Sequence, residues 1–226
     1  MEHYSLQQIG TQFMYKVYGW MAAGLGLTGI TAYIISTTNT PLMLAQRPGI
    51  LLVLMLIQLG LVVFLSGFIQ RMSSLTAHAA FLAYAVITGV TFSTLFLVYT
   101  QTSLATTFII TATMFAVLAL YGFVTKRDLT SIGSIAIMAL VGLLIGLVIN
   151  LFLKSSGLQF LLSGLGVILF SALTAYDVQR LKLFSYTALN YGEEEAKVSI
   201  LGALSLYLNF VNLFLMLLSF TGRRRN

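Results

Sequence analysis

Seven apolar stretches, each about as long as a membrane-spanning helix, determine what this chain of 226 residues can fold into. A helix needs about 20 mostly apolar residues to cross the hydrocarbon core of a bilayer. Only 8% of the residues are charged, against about a quarter in a soluble domain, and 58% are hydrophobic. The mean hydropathy of +0.95 agrees with this composition. The sequence therefore predicts an all-α membrane protein with seven transmembrane helices.

The predicted spans follow one another through short connections, so helices adjacent in sequence should be antiparallel neighbours in space. The spans cover residues 17–35, 49–69, 78–99, 104–124, 132–153, 158–177 or slightly beyond, and 198–220. The longest connections are 36–48, which holds both prolines, and 178–197. Since no linker separates the spans, we interpret residues 1–226 as a single transmembrane domain.

The distribution of basic residues predicts the orientation of the chain. The loops on the N-terminal side of the membrane carry Lys16, Arg71, Lys126, Arg127, Arg180, Lys182 and Lys197. The other side carries Arg47, Lys154 and the tail 223–225, so without the tail the positive-inside rule places the N-terminus in the cytoplasm. A sixth or seventh segment that re-enters the membrane would instead bring the tail to the cytoplasmic side. The net charge of +6 indicates orientation and lipid contact, not nucleic-acid binding.

Several classes of chemistry are excluded or disfavoured by the residues present. The chain has no cysteine, which excludes disulfides, thiolate metal sites and cysteine nucleophiles. The two histidines are far apart in sequence, and neither a zinc-protease nor a phosphate-loop pattern occurs. One intramembrane aspartate is not the pair that an aspartyl protease needs. We therefore expect no enzymatic activity and no resident cofactor.

Asp177 is the acid that follows directly on a long apolar run, whereas the other acids lie in a terminus or a polar connection. A carboxylate inside the membrane costs about 2.5–3.5 kcal/mol on insertion scales, which makes it a candidate functional residue. Arg71 ends the second span on the same side of the membrane and could form an ion pair with Asp177. Arg71 could equally be an interfacial arginine that extends its side chain toward water.

Polar and small residues form one stripe along the seventh span. Gly202, Ser205, Asn209, Asn212 and Ser219 follow at helical spacing. Such a stripe should face the protein interior or a water-filled cavity, because lipid cannot hydrogen-bond to it. Two interpretations stay open, namely hydrogen bonds between helices, worth about 0.6 kcal/mol each, and the lining of an ion pathway.

Other small or charged groups in the chain have structural interpretations. The pair Gly142 and Gly146, and the glycines Gly24, Gly26 and Gly29, predict close helix packing. The acidic run 193–195 predicts a solvated loop face, and its less favoured interpretation is attraction of cations to a pore mouth.

Three runs of residues together resemble one known family. They are Ala175-Tyr176-Asp177-Val178-Gln179, Thr125-Lys126-Arg127-Asp128-Leu129-Thr130 and the seventh-span run 203–214, ALSLYLNFVNLF. The first resembles the AYDxQ signature of the transmembrane Bax inhibitor motif family, and the others are similar to its TK(K/R)DL(S/T) loop and its ALSLYLDFxNLF helix. The resemblance covers essentially the whole chain with the family's order and spacing.

The resemblance implies a bundle in which the last helix is surrounded by the other six, and a pH-responsive calcium leak in a bacterial inner membrane. Two aspartates on the last two helices share a proton in such bacterial members, and an arginine of the second helix bonds to them in the closed state. Asp177 matches the first aspartate and Arg71 the arginine. Asn209 stands where the family has its second aspartate. Asp177 is then the expected calcium contact and gate, with Asn209, Asn212 and Ser205 along the ion pathway.

Asn209 changes the expected response to pH. Two close carboxylates cannot easily both ionise, whereas an Asp–Asn pair has one titrating group and an amide that donates to the charged form. We therefore expect a pH response that is weaker or shifted to lower pH. The alternative function is a non-conducting membrane regulator that binds a membrane-anchored protease or acts in a stress or cell-death pathway. We expect lipid, calcium or protons as the other partners and a monomer as the assembly.

Overall fold

The computed structural model confirms seven helices that are long and apolar enough to cross a membrane. It describes residues 2–187, 193–223 and 225. The described helices are α1 (Glu2–Ser36), α2 (Thr40–Gln46), α3 (Pro48–Phe68), α4 (Ser74–Phe92), α5 (Leu95–Val98), α6 (Gln101–Val124), α7 (Thr130–Leu153), α8 (Ser156–Thr187) and α9 (Glu193–Thr221). A single 3-10 turn, Ile69–Arg71, extends α3. The chain is therefore a multi-pass membrane protein of the predicted all-α class.

The third span is divided, which hydropathy alone does not predict. The Ser73 side chain accepts a hydrogen bond from the Thr76 amide at 3.2 Å, so α4 begins before the predicted first residue, at Ser74. After Phe92 the helix is interrupted, where the hydroxyl of Ser93 donates to the Val90 carbonyl at 2.6 Å. Hydroxyl side chains that bond to nearby carbonyls compete with the regular helix ladder and bend it. The remaining turn of this span is α5.

The predicted connection 178–197 was wrong in its extent. Helix α8 continues to Thr187 and α9 begins at Glu193, while residues 188–192 lie outside the described part of the chain. The acidic run therefore forms the first turn of α9, where negative charge is favoured by the helix dipole. Arg224 of the basic tail also lies outside the description.

The interpretation of the acidic run as a solvated loop face was wrong for Glu195. The residue is only 8% exposed, and its carboxylate pairs with the ammonium of Lys16 at 2.8 Å. Glu193 accepts a hydrogen bond from the Ser74 amide at 3.0 Å, which caps the start of α4. Charged side chains at this end of α9 thus fasten it to α1 and α4.

Packing divides the chain into two compact units, and α9 contributes to both. The first unit holds residues 1–100, 184–207 and 225–226, and the second holds 101–183 and 208–224. The interpretation of the whole chain as one domain stays a prediction. In the most apolar 18-residue stretch of α9, 72% of the residues are buried, against 6–44% in the corresponding stretches of the other spans. A helix enclosed by six others requires such burial, and this arrangement itself also stays a prediction.

The core of the first unit forms around Tyr207 of α9. Its ring makes edge contacts with Phe81 and Tyr84 of α4, with centroids 5.8 and 5.7 Å apart. The Tyr207 hydroxyl hydrogen-bonds to the Thr28 hydroxyl at 2.7 Å, and Thr28 also donates to the Ala85 carbonyl at 2.9 Å. A buried tyrosine needs such a partner for its hydroxyl, so this bond joins α1, α4 and α9.

The core of the second unit joins α6, α7, α8 and the second half of α9. Phe210 of α9 packs against Phe108 and Phe115 of α6, with ring centroids 5.4 and 5.6 Å apart. Leu213 and Met216 of α9 belong to one buried apolar cluster with residues of α7 and α8. This packing places one face of α9 directly against α8.

The glycines of the predicted packing motifs differ in their surroundings. A Cβ atom at Gly146 would lie 2.7 Å from the Leu162 side chain, and one at Gly24 would lie 2.6 Å from Phe81, so these two glycines allow close helix packing. Around Gly142, Gly26 and Gly29, no atom lies within 4 Å of that position. The packing prediction was therefore wrong for these three.

Replacement of Gly122 by alanine tests the contact of α6 with α8, because a Cβ atom there would overlap the Ala175 carbonyl oxygen. We expect Gly122→Ala to lower the free energy of unfolding by about 1–3 kcal/mol, as overpacking does. Gly26→Ala adds the same methyl group to open space and should be neutral or stabilise by up to about 1 kcal/mol. Thermal unfolding of both variants in detergent measures the difference, and equal midpoints would contradict the prediction.

Candidate functional site

Asp177 lies inside α8, ten residues before its end. It follows Ser156, the first residue of the span, by 21 residues, which is about 31 Å of helix. The hydrocarbon core of a bilayer is about 30 Å thick, so the carboxylate lies close to one of its boundaries. The helix then continues past Asp177 for about three more turns.

The structure brings Asp177 and Asn209 together in the second unit. The Asn209 side-chain amide donates a hydrogen bond to Oδ2 of Asp177 at 2.8 Å. Asn209 is only 6% exposed, and Asp177 is partly buried. Both residues lie in the α8–α9 seam, by which we mean the contact between α8 and residues 208–221 of α9. A neutral amide thus meets the carboxylate where the family resemblance implies a second aspartate.

The neighbours of Asp177 contact other helices of the second unit. The Ala175 backbone lies against Gly122 of α6, and the Tyr176 ring lies against Gly133 of α7, where a Cβ atom would be 2.5 Å from the ring. Val178 is completely buried. This one turn of α8 is therefore held in place from several directions, which limits the movement of the Asp177 side chain.

Gln179 connects the AYDVQ turn to the loop between α6 and α7. Its Oε1 accepts from the Leu129 amide at 2.9 Å, and its Nε2 donates to the Arg127 carbonyl at 2.7 Å. The side chain is only 8% exposed. The first and second family-like runs are therefore in direct contact, and we assign Gln179 as a positioning residue of the site.

Lys182 makes a second connection from α8 to the end of α6. Its ammonium donates to the Phe123 carbonyl at 2.6 Å and lies 4.6 Å from the centre of the Phe123 ring. A cation at the C-terminal end of a helix is favoured by the helix dipole. The bond also satisfies a carbonyl that has no partner within its own helix.

The loop between α6 and α7 has its own acidic cap. Oδ1 of Asp128 accepts from the Thr130 amide at 2.9 Å, at the first residue of α7. Hydrogen bonds from the Thr130 side chain and backbone hold the pKa of Asp128 below its ordinary value. Asp128 thus fixes the start of α7, while Gln179 fixes the backbone on either side of it.

A cluster of uncharged polar side chains lies at the other end of the α8–α9 seam. Gln159 Nε2 donates to the Ser219 hydroxyl at 3.0 Å, and the Ser163 and Ser219 hydroxyls are also 3.0 Å apart. Asn150 of α7 donates to Gln159 Oε1 at 3.0 Å. Amide and hydroxyl groups therefore bond to one another across α7, α8 and α9.

An apolar layer separates the two polar ends of the seam. It contains Phe170 and Leu173 from α8, and Leu213, Met216 and Leu217 from α9, all of which are buried.

The remaining predicted site residues are Asn212, Ser205 and Arg71. The Asn212 amide donates to the Leu208 carbonyl of its own helix at 2.8 Å. Ser205 belongs to the first unit, as does Arg71, which ends the 3-10 turn after α3 with an exposed side chain. The proposed pairing of Arg71 with Asp177 stays a prediction. The described residues contain no cluster of three or more metal-binding side chains.

Sequence reasoning missed Gln179, Lys182 and the Gln159–Ser219 cluster as parts of this arrangement. Gln179 is the last residue of the AYDVQ run, so its place in that motif was an available signal. Gln159 and Ser163 are four residues apart on α8 and could have been matched to the stripe on α9. For Lys182, which bonds to a backbone carbonyl, the sequence carries no comparable signal.

Comparison with known proteins agrees with this arrangement of motifs. Residues 10–226 match the family model described as inhibitor of apoptosis-promoting Bax1. The chain belongs to the Bax inhibitor family.

Bacterial proteins are similar to this family member over nearly their whole length. The inner membrane protein YbhL of Escherichia coli K12 is 43% identical over 222 residues, which is 94% of this chain and 92% of YbhL. An uncharacterized protein of Borreliella burgdorferi is 43% identical over 96% of this chain and 94% of its own. Another, from Deinococcus radiodurans, is 42% identical, with coverage of 97% and 94%.

The role of Gln179 can be tested by removing its amide. We expect Gln179→Ala to lower the free energy of unfolding by about 1–3 kcal/mol, because the Leu129 amide and the Arg127 carbonyl both lose a buried partner. Gln12→Ala, at an exposed position of α1, is the matched control and should change it by less than about 0.5 kcal/mol. Denaturation in detergent measures both values, and equal effects would refute the positioning role.

The Asp128 cap predicts a pH-dependent difference between wild type and Asp128→Ala. A carboxyl group whose pKa is lower in the folded than in the unfolded state stabilises the folded protein. This contribution is complete above the unfolded-state pKa of about 3.9, and it is lost as the pH falls through the folded-state pKa. The wild type should therefore be the more stable protein at neutral pH, and the difference should shrink on acidification below about pH 4. Unfolding midpoints at several pH values measure this, and a difference that grows in acid would contradict it.

Proposed function

We propose that this protein is a cation leak of a bacterial inner membrane, with calcium as the permeant ion and without catalytic activity. The observation that carries the proposal is the 2.8 Å contact of Asp177 with Asn209 in a seam between two membrane-spanning helices. An ionisable residue within a membrane-spanning helix is a candidate functional residue. Membership of the family and similarity to an inner membrane protein support the location.

A single carboxylate with a neutral partner suits weak and reversible contact with a cation. Calcium prefers six to eight oxygen ligands, several of them charged. Asp177 and the amide oxygen of Asn209 offer only a few ligands, so water would have to supply the others. Conduction requires that an ion bind strongly enough to enter and weakly enough to leave. The Asp177–Asn209 pair fits this requirement better than a high-affinity calcium site.

Arg71 would act as the closing counter-ion in this mechanism. The guanidinium would occupy Asp177 in the closed state, and a cation or proton that displaces it would favour opening. A shift of population from about 1:99 to 99:1 requires about 5.5 kcal/mol of difference in affinity. Since the amide of Asn209 carries no charge, this residue would add no charge of its own to the switch.

Opening would also have to disrupt the apolar layer of the seam. Phe170, Leu173 and Leu213 are 5%, 5% and 0% exposed, so ions cannot pass between them without rearrangement. Apolar constrictions of this kind gate channels by excluding water. The polar cluster of Gln159, Ser163 and Ser219 would form the other mouth of the route.

The same packing favours a second candidate function, a non-conducting regulator. A seam that is hydrogen-bonded at both ends and apolar between them would serve equally well as a rigid surface for a membrane protease or a stress pathway. The family description, inhibitor of apoptosis-promoting Bax1, names a regulatory role for the family. Asp177 would then be a structural residue.

Calcium flux from liposomes that contain the purified protein distinguishes the two functions. We expect Asp177→Asn, which keeps the size of the side chain and removes its charge, to reduce flux by about ten-fold, the effect of about 1.4 kcal/mol. Absence of flux from the wild type, together with co-purification of a protease, would favour the regulator. Unchanged flux in the variant would make Asp177 structural.

The pH response depends on residue 209. Wild-type flux should vary little between pH 6 and 8, whereas Asn209→Asp should create a switch in this range, because two close carboxylates share a proton. Asn39→Asp adds the same charge at an exposed position outside the seam and should leave the profile flat. A wild-type switch between pH 6 and 8 would overturn the explanation based on Asn209.

A further inference from the structure

A groove with an entirely apolar lining runs between α7 and α8 in the second unit. It encloses about 440 Å³. Its lining includes Ile132, Gly142 and Leu143 of α7, and Leu162, Leu169 and Ala172 of α8. The groove shares Leu143, Leu162 and Leu169 with the buried apolar cluster beside the α8–α9 seam, and its lining contains none of the polar side chains at the two ends of that seam.

Small residues of α7 create this space. No atom lies within 4 Å of the position that a Cβ atom of Gly142 would take. One helical turn further, the corresponding position at Gly146 lies 2.7 Å from Leu162, which closes the groove at that end. Gly142 therefore leaves space for the groove, whereas Gly146, four residues later, packs against Leu162 of α8.

The groove has the length of one lipid leaflet. From Ile132 to Leu143 the lining of α7 spans 11 residues, which is about 16 Å of helix. Half of the hydrocarbon core of a bilayer is about 15 Å. The length of the groove thus matches the length of one acyl chain, which would enter from the membrane surface next to the α6–α7 loop.

Basic side chains lie at the open end of the groove. Arg180 follows the lining residues Leu169 and Ala172 at spacings of 11 and 8 on α8, which places it on the same helical face about 12 Å beyond Ala172. The bond from Gln179 to the Arg127 carbonyl brings the α6–α7 loop to this turn. Lys126, Arg127 and Arg180 are all exposed. Three basic side chains lie here against one acid of the loop, Asp128, so positive charge is in excess.

We propose that this groove binds an anionic phospholipid, with one acyl chain between α7 and α8 and the phosphate at Arg127 and Arg180. Burial of the acyl chain supplies affinity for lipid. The guanidinium groups of Arg127 and Arg180 supply selectivity for anionic lipid, because guanidinium groups bind phosphate oxygens in a bidentate manner. Each basic residue near the membrane surface strengthens attraction to anionic lipid about five-fold. Tyr176, whose ring packs against Gly133, lies between Ala172 and Arg180 in the sequence of α8.

Native mass spectrometry with competing lipids tests this site. The protein in detergent is mixed with equal amounts of phosphatidylglycerol and phosphatidylcholine that have the same acyl chains. The wild type should retain phosphatidylglycerol preferentially. Arg180→Gln should reduce this preference about five-fold, and Gly142→Leu, which fills the groove, should reduce retention of both lipids.

Gly60→Leu is the matched control, because Gly60 of α3 also has no atom within 4 Å of its Cβ position and lies outside the groove. It should leave retention and preference unchanged. Equal retention of the two lipids by the wild type would overturn the proposal, and so would equal loss in Gly142→Leu and Gly60→Leu. A change from dimer to monomer in Gly142→Leu would also overturn it, because a second copy of the chain would then cover the groove.

Discussion

Inside a membrane, a polar side chain must find its partner within the protein, and the second half of α9 depends on this constraint. Asn209 bonds to Asp177 at one end of the α8–α9 seam, and Ser219 bonds to Gln159 and Ser163 at the other. Since lipid offers no hydrogen-bonding groups, polar side chains within a membrane span are satisfied by other groups of the protein. These bonds fix the register of α9 against α8, and buried apolar side chains of both helices pack between them.

The membrane helices could be predicted from the sequence because hydrophobic length is a direct physical requirement. Their ends could not, because helix ends near the membrane surface depend on individual bonds. The run 178–187 is polar enough to suggest a loop, yet Gln179 and Lys182 bond to the α6–α7 region and α8 continues through them. Glu195 likewise gains Lys16 as a partner, which is 179 residues distant in sequence. Hydropathy does not register such long-range contacts.

The candidate site was predictable only in part, for a related reason. The stripe on α9 and the charge of Asp177 indicated that Asn209 needed an interior partner, and the structure supplies that contact. The role of Gln179 was not predicted, because its partners are backbone groups, which every residue possesses. Gly142 and Gly146 belong to the same small-residue pair on the same helix, but of these two only Gly146 packs against a leucine side chain. The difference arises from the partner helix, whose position the motif does not contain.

In the proposed leak, Asn209 would also change which part of the protein controls opening. A pair of aspartates would couple the seam to pH directly, because protonation removes repulsion between them. With one carboxylate and a neutral amide, protonation changes a single charge near the membrane boundary. The apolar layer formed by Phe170, Leu173 and Leu213 is insensitive to pH, and its separation exposes apolar surface at about 25 cal/mol per Å². If the protein conducts as we propose, packing in the seam, more than proton binding, should therefore set its resting permeability.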